Sequence, residues 1–304
     1  MMPSSPLLKI SAPVSAQAAD AVAELFGRVF GTSPILYHDA RTNRITVSVY
    51  LAQPSVWRDE IRAQLDMGWS HIRECGLHPG PARVTAKKIA REDWAESWKR
   101  HFHAMEFGRS LLVKPSWIRR APKAGQQVVI LDPGLSFGTG QHPTTGFCLE
   151  QIVACRQPGT VQSLLDIGTG SGILAIAAVK LGYSPVAAFD FDPESVRVAK
   201  ANARVNTIRI GMGRTLRIER RDLTREPMRH VQKYDIVCAN LIHDLLIAER
   251  TRILSRLKSD GILLLSGILR KQFPAVARVY RQAGLRLLCK GAKNEWQSGA
   301  FKRK

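Results

Sequence analysis

The sequence contains no apolar run long enough to cross a membrane. A membrane-spanning helix needs roughly 18–20 consecutive apolar residues, whereas the apolar stretch Ile173–Val179 ends at Lys180. The first ten residues carry no basic segment ahead of an apolar block, the pattern that would indicate a secretory signal. From these absences we expect a cytoplasmic protein with no membrane partner.

Closely spaced metal ligands are also missing. The five cysteines include no C-x-x-C pair, and the eight histidines form no H-E-x-x-H pattern. Structural zinc sites normally use such pairs, so we expect no metal site. Cys238 and Cys289 lie in apolar, strand-like runs, and we expect both to behave as small core hydrophobes.

Acidic residues are scarce beside basic ones. The chain has 25 Asp and Glu against 45 Lys and Arg, a net charge of +20. The segment Arg204–Lys233 alone holds nine basic and three acidic residues. A positive field of this size favours encounters with polyanions such as RNA. Two interpretations of the segment remain open: a solvated basic face, or a surface that contacts RNA.

The remaining composition, 45% hydrophobic and 23% charged over 304 residues, is typical of a globular chain with about two domains. Residues 1–90 are predicted to form the first domain. Their elements follow the order β-α-β-β-α-β of a ferredoxin-like α+β fold. The strands are predicted at Leu7–Ser11, Ile35–Tyr37, Ile45–Leu51 and Arg83–Ile89, and the helices at Ser15–Phe30 and Val56–Cys75.

Residues 91–125 form an aromatic-rich segment that we interpret as an interdomain connector. A flexible solvated linker would instead be rich in Gly, Ser or Pro. We expect its large side chains to pack against the second domain. They are Trp94, Trp98, Phe102, Phe107 and Trp117.

Residues 126–304 alternate between predicted strands and helices, which indicates a doubly wound α/β domain with a parallel sheet. The predicted strands are Val161–Asp166, Val186–Asp190, Leu216–Arg220, Tyr234–Asn240, Gly261–Ser266 and Leu285–Lys290. The predicted helices are Ile173–Leu181, Pro193–Val205, Ile242–Leu257 and Lys271–Ala283.

A glycine-rich motif lies between the first of these strands and its helix. It runs Asp166-Ile-Gly168-Thr-Gly170-Ser-Gly172. Glycines here allow a ligand to approach the backbone, and the helix N-terminus offers free N–H groups. Asp190 follows Gly168 by 22 residues at the end of the next strand, where a carboxylate can accept ribose hydroxyls.

The motif reads D-x-G-x-G-x-G rather than the G-x-G-x-x-G of nicotinamide enzymes. It resembles the class I methyltransferases that use S-adenosylmethionine (SAM). Asp166 suits a cationic cofactor, because the ammonium and sulfonium groups of SAM need carboxylates and carbonyls nearby. The same carboxylate would be unfavourable beside a pyrophosphate.

Two further strings narrow this resemblance. The loop D-P-G-L-S-F-G-T-G-Q-H-P-T-T at 132–145 and the sequence A-N-L-I at 239–242 look like those of the ribosomal protein L-eleven methyltransferase family (PrmA type). Similarity also extends to the W-A-E-S-W string at 94–98 and the P-S-W string at 115–117. The family implies a Rossmann-like class I methyltransferase domain for residues 126–304 and a substrate-recognition role for residues 1–90.

The resemblance also implies individual site residues. Asn240 is expected beside the methyl-transfer point and is our catalytic candidate. The residues expected to contact SAM are Thr145, Asp166, Gly168, Gly170, Asp190, Asp222, Asn240 and Phe137. Asp190 is assigned to the ribose and Asp222 to the adenine amino group. Simpler roles remain open for three of them: Thr145 as a helix cap, Asn240 as a strand end and Asp222 as a turn residue.

The implied reaction is methyl transfer from SAM to amines of ribosomal protein L-eleven, on lysine side chains, the N-terminal α-amine or both. The amine must be neutral to attack, although a free lysine has a pKa near 10.4. His142 and His243 are candidate bases, although a histidine in such a position is more often structural.

Three alternatives remain. The first is an RNA methyltransferase that uses Arg204–Lys233, although the N-P-P-[YF] string of many base-modifying relatives is absent after the fourth strand. The second is a methyltransferase of another basic protein. The third is a non-catalytic module that binds RNA or the ribosome, against which the intact glycine motif argues.

Overall fold

The computed structural model describes residues 7–32, 34–39, 42, 44–51, 57–89, 102–132, 142–211 and 215–303. The chain divides into two compact units, Met1–Phe102 and His103–Lys304. No helix among the described residues is both long and apolar enough to span a membrane.

The first unit is a four-stranded antiparallel sheet with two helices. Its strand order is β2-β3-β1-β4, the ferredoxin-like arrangement that the element order predicts. The strands are β1 (Leu7–Val14), β2 (Ile35–Asp39), β3 (Arg44–Leu51) and β4 (Thr85–Ile89). The helices are α1 (Ala19–Phe30) and α2 (Asp59–Glu74).

The core of this unit forms where the apolar faces of the two helices cover the sheet. Helix α1 buries Val22, Leu25 and Phe26, whose spacing places them on one helical face. Helix α2 buries Leu65, Trp69 and Ile72 in the same cluster. The helices approach closely, because a Cβ atom on Gly68 would lie 2.3 Å from Leu25 Cδ1.

The second unit is built on a seven-stranded sheet of order β10-β9-β8-β11-β12-β14-β13. The first five strands in that order are parallel, and β14 and β13 are antiparallel to their neighbours. The strands are β8 (Leu164–Ile167), β9 (Val186–Asp190), β10 (Leu216–Arg220), β11 (Tyr234–Asn240), β12 (Leu257–Leu269), β13 (Leu285–Lys293) and β14 (Trp296–Arg303).

Helices cover both faces of this sheet, which confirms the doubly wound prediction. One buried cluster contains residues of α3 (Pro143–Ala154), α4 (Ile173–Lys180) and α5 (Pro193–Val205). The cluster on the other face contains residues of α6 (His243–Ala248), α7 (Arg250–Ser255) and α8 (Phe273–Gln282). The two clusters divide each central strand by alternate residues, as in the pair Leu164 and Leu165.

Three short strands form a separate sheet within the second unit. They are β5 (Met105–Phe107), β6 (Leu111–Lys114) and β7 (Gln127–Ile130), with β6 in the middle. Strands β5 and β6 lie inside the segment predicted as a connector. Phe107 is buried in the core of the second unit, whereas Trp94 and Trp98 lie outside the described residues. The domain boundaries at 90 and 125 stay a prediction.

Three details differ from the sequence-based expectations. The single helix predicted over Ile242–Leu257 is wrong: Glu249 leaves helical geometry (φ −96°, ψ 14°) and separates α6 from α7, and Leu257 begins β12. The terminal strand β14 was not predicted. Cys238 is buried as expected, but Cys289 is exposed, because it lies on the edge strand β13 next to a register shift that breaks the in–out alternation.

Candidate active site

Five of the predicted site residues lie at the carboxyl ends of β8, β9 and β11: Asp166, Gly168, Gly170, Asp190 and Asn240. Strand β8 lies between β9 and β11 in the sheet, so the chain winds outward in opposite directions from this point. Ligands of open parallel sheets bind in the crevice at such a reversal. The sheet topology therefore defines where a cofactor can bind before any side chain is considered.

The glycine motif makes a tight turn from β8 into α4. Gly168 has φ +71°, and a Cβ atom on it would lie 2.4 Å from Leu241 Cδ2. Gly172 has φ +81°, and a Cβ atom there would lie 2.9 Å from Ala199 Cβ on α5. Both positions therefore require glycine twice over, for backbone conformation and for space.

Asp190 connects this turn to the end of β9. Its carboxylate accepts hydrogen bonds from the backbone N–H of Gly170 at 2.9 Å and of Asp192 at 3.1 Å. The residue is only 8% exposed. Each carboxylate oxygen can accept two hydrogen bonds, so one acceptor position on each oxygen is left for a diol such as ribose.

Asp166 lies deeper, with no exposed surface. Its Oδ2 accepts a hydrogen bond from the Thr169 hydroxyl at 2.6 Å, and its Oδ1 is buried without a hydrogen-bond partner among the described residues. Burial raises the pKa of this carboxyl to about 7, the nearby Asp190 adds to the rise, and the Thr169 hydroxyl opposes it. A cation brought near would favour the ionised form.

Thr145 lies in the first turn of α3 and is 1% exposed. Its hydroxyl is buried and has no hydrogen-bond partner within the described chain. The helix cap position belongs to His142, with no side-chain capping bond, so the capping role that was open for Thr145 is wrong. A buried hydroxyl without a partner is costly and is free to bind a ligand.

A buried hydrogen-bond chain holds the helix turn that carries Thr145. The Ser266 hydroxyl on β12 donates to the Thr144 carbonyl at 3.0 Å and lies 2.7 Å from the Ser298 hydroxyl on β14. On the other side of the turn, His142 Nδ1 lies 2.6 Å from the Thr144 hydroxyl. These contacts fix α3 to two strands of the sheet.

His142 is a weak base in this setting. Burial lowers its pKa to about 4, and its ring lies edge-on to Trp296 with centroids 4.8 Å apart. The ring is therefore neutral at pH 7. These contacts support a structural role. His243 Nε2 lies 3.0 Å from the Asp244 carboxylate.

Asn240 is the last residue of β11 and is half-buried. It lies opposite Ser266 in the sheet, and the next backbone N–H, that of Leu241, donates to the Ser266 carbonyl at 3.1 Å. The contact of Leu241 with Gly168 brings this strand end against the glycine turn. The strand end that carries Asn240, the catalytic candidate, therefore lies next to the glycine turn.

Two of the predicted SAM contacts, those of Asp222 and Phe137, remain predictions. The Asp222 Oδ1 accepts hydrogen bonds from the Thr224 N–H at 3.0 Å and the Thr224 hydroxyl at 2.8 Å. These are the contacts of a turn residue at the start of a 3₁₀ segment, and the adenine contact stays a prediction. Phe137 lies outside the described residues, as does most of the D-P-G-L loop.

Sequence reasoning did not single out Phe191, which follows Asp190 directly and is 72% exposed. Aromatic rings provide stacking surfaces for nucleobases, and the exposed Phe191 ring offers such a surface directly after Asp190. The sequence signal that could have pointed to Phe191 is an aromatic residue directly after the acidic residue that ends a strand.

These residues fit SAM. Asp190 offers acceptors for two ribose hydroxyls, and Gly168 and Gly170 add no side chains to the turn. The buried Asp166 Oδ1 and Thr145 hydroxyl, both without partners among the described residues, suit the polar, cationic amino acid end. When bound, SAM supplies an electrophilic methyl group on a sulfonium.

Comparisons with known proteins agree with this fit. The family model described as Ribosomal protein L11 methyltransferase (PrmA) matches residues 7–304. A ribosomal protein L11 methyltransferase of Geobacter sulfurreducens is 39% identical over 222 residues, covering 73% of this chain and 69% of the relative. One of Streptococcus equi subsp. zooepidemicus is 32% identical over 270 residues, covering 86% and 80%.

A solved structure is also similar. The crystal structure of a ribosomal protein L11 methylase from Lactobacillus delbrueckii subsp. bulgaricus superposes with a TM-score of 0.58 at 31% identity, covering 67% of this chain and all of that one. The sequence resemblance is thereby confirmed over both units of the chain. This chain belongs to the ribosomal protein L11 methyltransferase (PrmA) family, and its methyl donor is S-adenosyl-L-methionine.

Proposed function

We propose that this chain transfers methyl groups from SAM to amines of ribosomal protein L11, on lysine side chains, the N-terminal α-amine or both. The observation that carries the proposal is the contact of Gly168 with Leu241, the residue after Asn240, which places the glycine turn against the end of β11. The family description names a protein substrate, which favours this function over RNA methylation.

The proposed cofactor contacts follow the geometry of the crevice. Gly168 and Gly170 present the backbone of the turn, and Asp190 accepts the ribose hydroxyls. Thr145 and Asp166 bind the amino acid end, to which they present buried polar atoms. Phe137 and Asp222 complete the proposed set, with Phe137 lining the pocket and Asp222 near the adenine.

Methyl transfer to an amine is an in-line displacement, so the protein acts mainly by alignment. The acceptor nitrogen attacks as a neutral amine and must lose its proton to solvent before or during binding. His142 is unsuited to take that proton, because its pKa is about 4. The side-chain oxygen of Asn240 accepts a hydrogen bond from the amine and directs its lone pair toward the methyl group.

Recognition of the substrate is assigned to the first domain, residues 1–90, with residues 91–125 as the connector and residues 126–304 as the methyltransferase domain. The support is that the glycine turn, Asp190 and Asn240 all lie in the second unit, which leaves the first unit without a place in the chemistry. A protein substrate needs a larger binding surface than a small-molecule cofactor.

A transfer assay tests the proposal. Purified enzyme is incubated with methyl-labelled SAM and either purified unmethylated L11 or protein-free ribosomal RNA. We expect label in L11 only, and mass spectrometry then assigns the modified amines. Asn240→Ala should lower kcat while SAM affinity, measured by calorimetry, changes less. Label in RNA alone would contradict the proposal.

A further inference from the structure

Two neighbouring cavities lie around β10, the edge strand of the seven-stranded sheet, and both are lined by Arg217. The larger, about 620 Å³, lies between the end of α5 and β10; we call it the basic groove. Its cationic residues are Lys200, Arg204, Arg209 and Arg217. The smaller, about 280 Å³, is lined by Arg217, Arg221, Arg256 and His230.

The two cavities differ in how many of their cationic side chains form ion pairs with carboxylates. In the smaller cavity, Glu226 lies 2.5 Å from Arg221 and 2.7 Å from Arg256, so these arginines are paired. In the basic groove, Lys200, Arg204 and Arg209 have no ion pair within the described part of the chain. Glu219 also lines the groove and is its one acidic residue among the described residues; its carboxylate lies 3.5 Å from Arg217 and 3.7 Å from Arg221. The basic groove therefore carries the uncompensated charge.

The basic groove is separate from the cofactor crevice. Helix α5 leaves the carboxyl end of β9 after Asp190 and returns toward the amino end of β10. Arg204 in the last turn of α5 and Arg209 beyond it consequently lie toward the amino ends of the strands. The carboxyl ends hold Asp190 and the glycine turn, so cations in the groove have no place in binding SAM.

The chemistry of the groove suits phosphate groups. Its floor is formed by Ile208, Ile210 and Ile218, and no aromatic side chain lines it among the described residues, so it offers no stacking platform for bases. Three of its four cations are arginines, whose planar forks match phosphate oxygens. Such a surface contacts a nucleic acid backbone without reading its sequence.

We propose that the basic groove binds the phosphate backbone of RNA and brings the enzyme to a substrate that is met beside RNA. The choice of RNA over an acidic protein rests on the proposed function, because the neighbours of a ribosomal protein are RNA. Net charge favours the same choice, because an enzyme of net charge +20 is attracted by polyanionic RNA.

The test compares two double variants of the full-length protein. Arg204→Glu/Arg209→Glu alters the groove, and Arg278→Glu/Arg281→Glu makes the same change of net charge on α8. Arg204 and Arg281 each lie in the last turn of a helix, so the two variants also match in their effect on a helix dipole. Affinity for a short RNA duplex is measured by fluorescence anisotropy over a series of salt concentrations.

We expect the groove variant to bind RNA more weakly than the α8 control. The slope of log affinity against log salt should become shallower by about 0.9 for each phosphate that the variant no longer neutralises. Equally weakened binding in both variants would show that only net charge matters and would overturn the site, as would a wild-type protein that does not bind RNA at low salt. Equally tight binding of polyglutamate by the groove would overturn the choice of RNA.

Methylation of free L11 is measured on the same variants. We expect the groove variant to retain wild-type activity on free L11, with an unchanged thermal midpoint, because the groove takes no part in the chemistry. If the wild type fails to methylate L11 yet binds RNA through the groove, the proposed function is wrong and the groove stands. If the wild type methylates L11 but does not bind RNA, the groove proposal is wrong and the proposed function stands.

Discussion

At the scale of single residues, the site depends on two buried carboxylates with different surroundings. Asp190 accepts two hydrogen bonds from backbone N–H groups, one on each carboxylate oxygen. Asp166 accepts one hydroxyl bond and has one oxygen without a partner in the described chain. The same residue type is therefore hydrogen-bonded on both oxygens in one place, whereas in the other it is a carboxyl whose pKa burial raises to about 7.

Replacing Asp190 tests its role. Asp190→Ala removes the carboxylate that holds the Gly170 N–H and the predicted ribose contacts. Because hydrogen bonds to charged groups contribute about 1.5–3 kcal/mol each, we expect SAM affinity to fall at least about tenfold. Isothermal titration calorimetry measures the change. Asp260→Ala, at an exposed position on β12, is the control, and unchanged affinity in Asp190→Ala would refute the assignment.

Asp166 should make stability depend on pH. Its pKa is about 7 in the folded protein against 3.8 as the ordinary value, so the folded state binds more protons than the unfolded state between these values. Stability is then lost as pH rises through this interval. Asp166→Asn removes that loss. The thermal midpoint of the variant minus that of the wild type should therefore be larger at pH 8 than at pH 5.

Differential scanning calorimetry without SAM gives both midpoints. Taking the difference between variant and wild type at each pH cancels the other titrating groups. A difference that is the same at pH 5 and pH 8 would show that the Asp166 carboxyl does not titrate in this interval.

At this scale, sequence reasoning located residues where backbone geometry demands one residue type, while their contacts with SAM stay a prediction. Gly168 and Asp190 could be located from the sequence because a turn with positive φ requires glycine, and the carboxylate at the end of the next strand follows that glycine at a characteristic spacing. The burial of Asp166 and the hydrogen-bond chain from Ser266 to Thr144 could not be predicted, because both depend on strands that are distant in sequence. Asp222 shows the opposite difficulty, since the same residue type also serves as an ordinary turn former.

At the scale of elements, alternation predicted most strands and helices of the parallel sheet. The errors occurred where local pattern and pairing disagree. Residues 242–257 carry helical periodicity, yet Leu257 pairs with Tyr234 in the sheet and the helix must end before it. Strand β14 has the sequence W-Q-S-G-A-F-K-R. Its small and polar residues do not give the apolar pattern expected of a strand that lies between two others.

The packing of α1 against α2 gives a prediction at this scale. Gly68→Ala improves helix propensity by about 0.5–1 kcal/mol but places a methyl group 2.3 Å from Leu25 Cδ1. Overpacking typically costs about 1–3 kcal/mol, so we expect a net loss of stability. Faster amide hydrogen exchange in α1 and α2 of the full chain would report it.

The same substitution made together with Leu25→Ala separates the two effects. With the Leu25 side chain removed there is no clash, and Gly68→Ala should then slow exchange relative to Leu25→Ala alone. If Gly68→Ala accelerates exchange equally in both backgrounds, contact with Leu25 is not the reason that glycine occupies this position.

At the scale of the whole molecule, the described residues of the cofactor site fall in one of the two units. The glycine turn, Asp190 and Asn240 lie in the second unit, and the first unit contributes a separate sheet and core. Sequence order predicted both folds, because the switch from β-α-β-β-α-β to alternating strands and helices is visible in hydrophobic period. The boundary was harder to place, since β5 and β6 lie in the segment that resembled a connector.

This division predicts the result of removing the first unit. A chain of residues 103–304 keeps both hydrophobic clusters of the second unit, so we expect SAM affinity close to that of the full chain. Methylation of L11 should fall to background, because the surface that we propose docks the protein substrate is gone. Calorimetry measures the first quantity and label transfer the second. A truncated enzyme that methylates L11 at the full rate would place substrate recognition in the second unit, whereas an absence of both SAM binding and a thermal transition would mean that the second unit needs the first in order to fold.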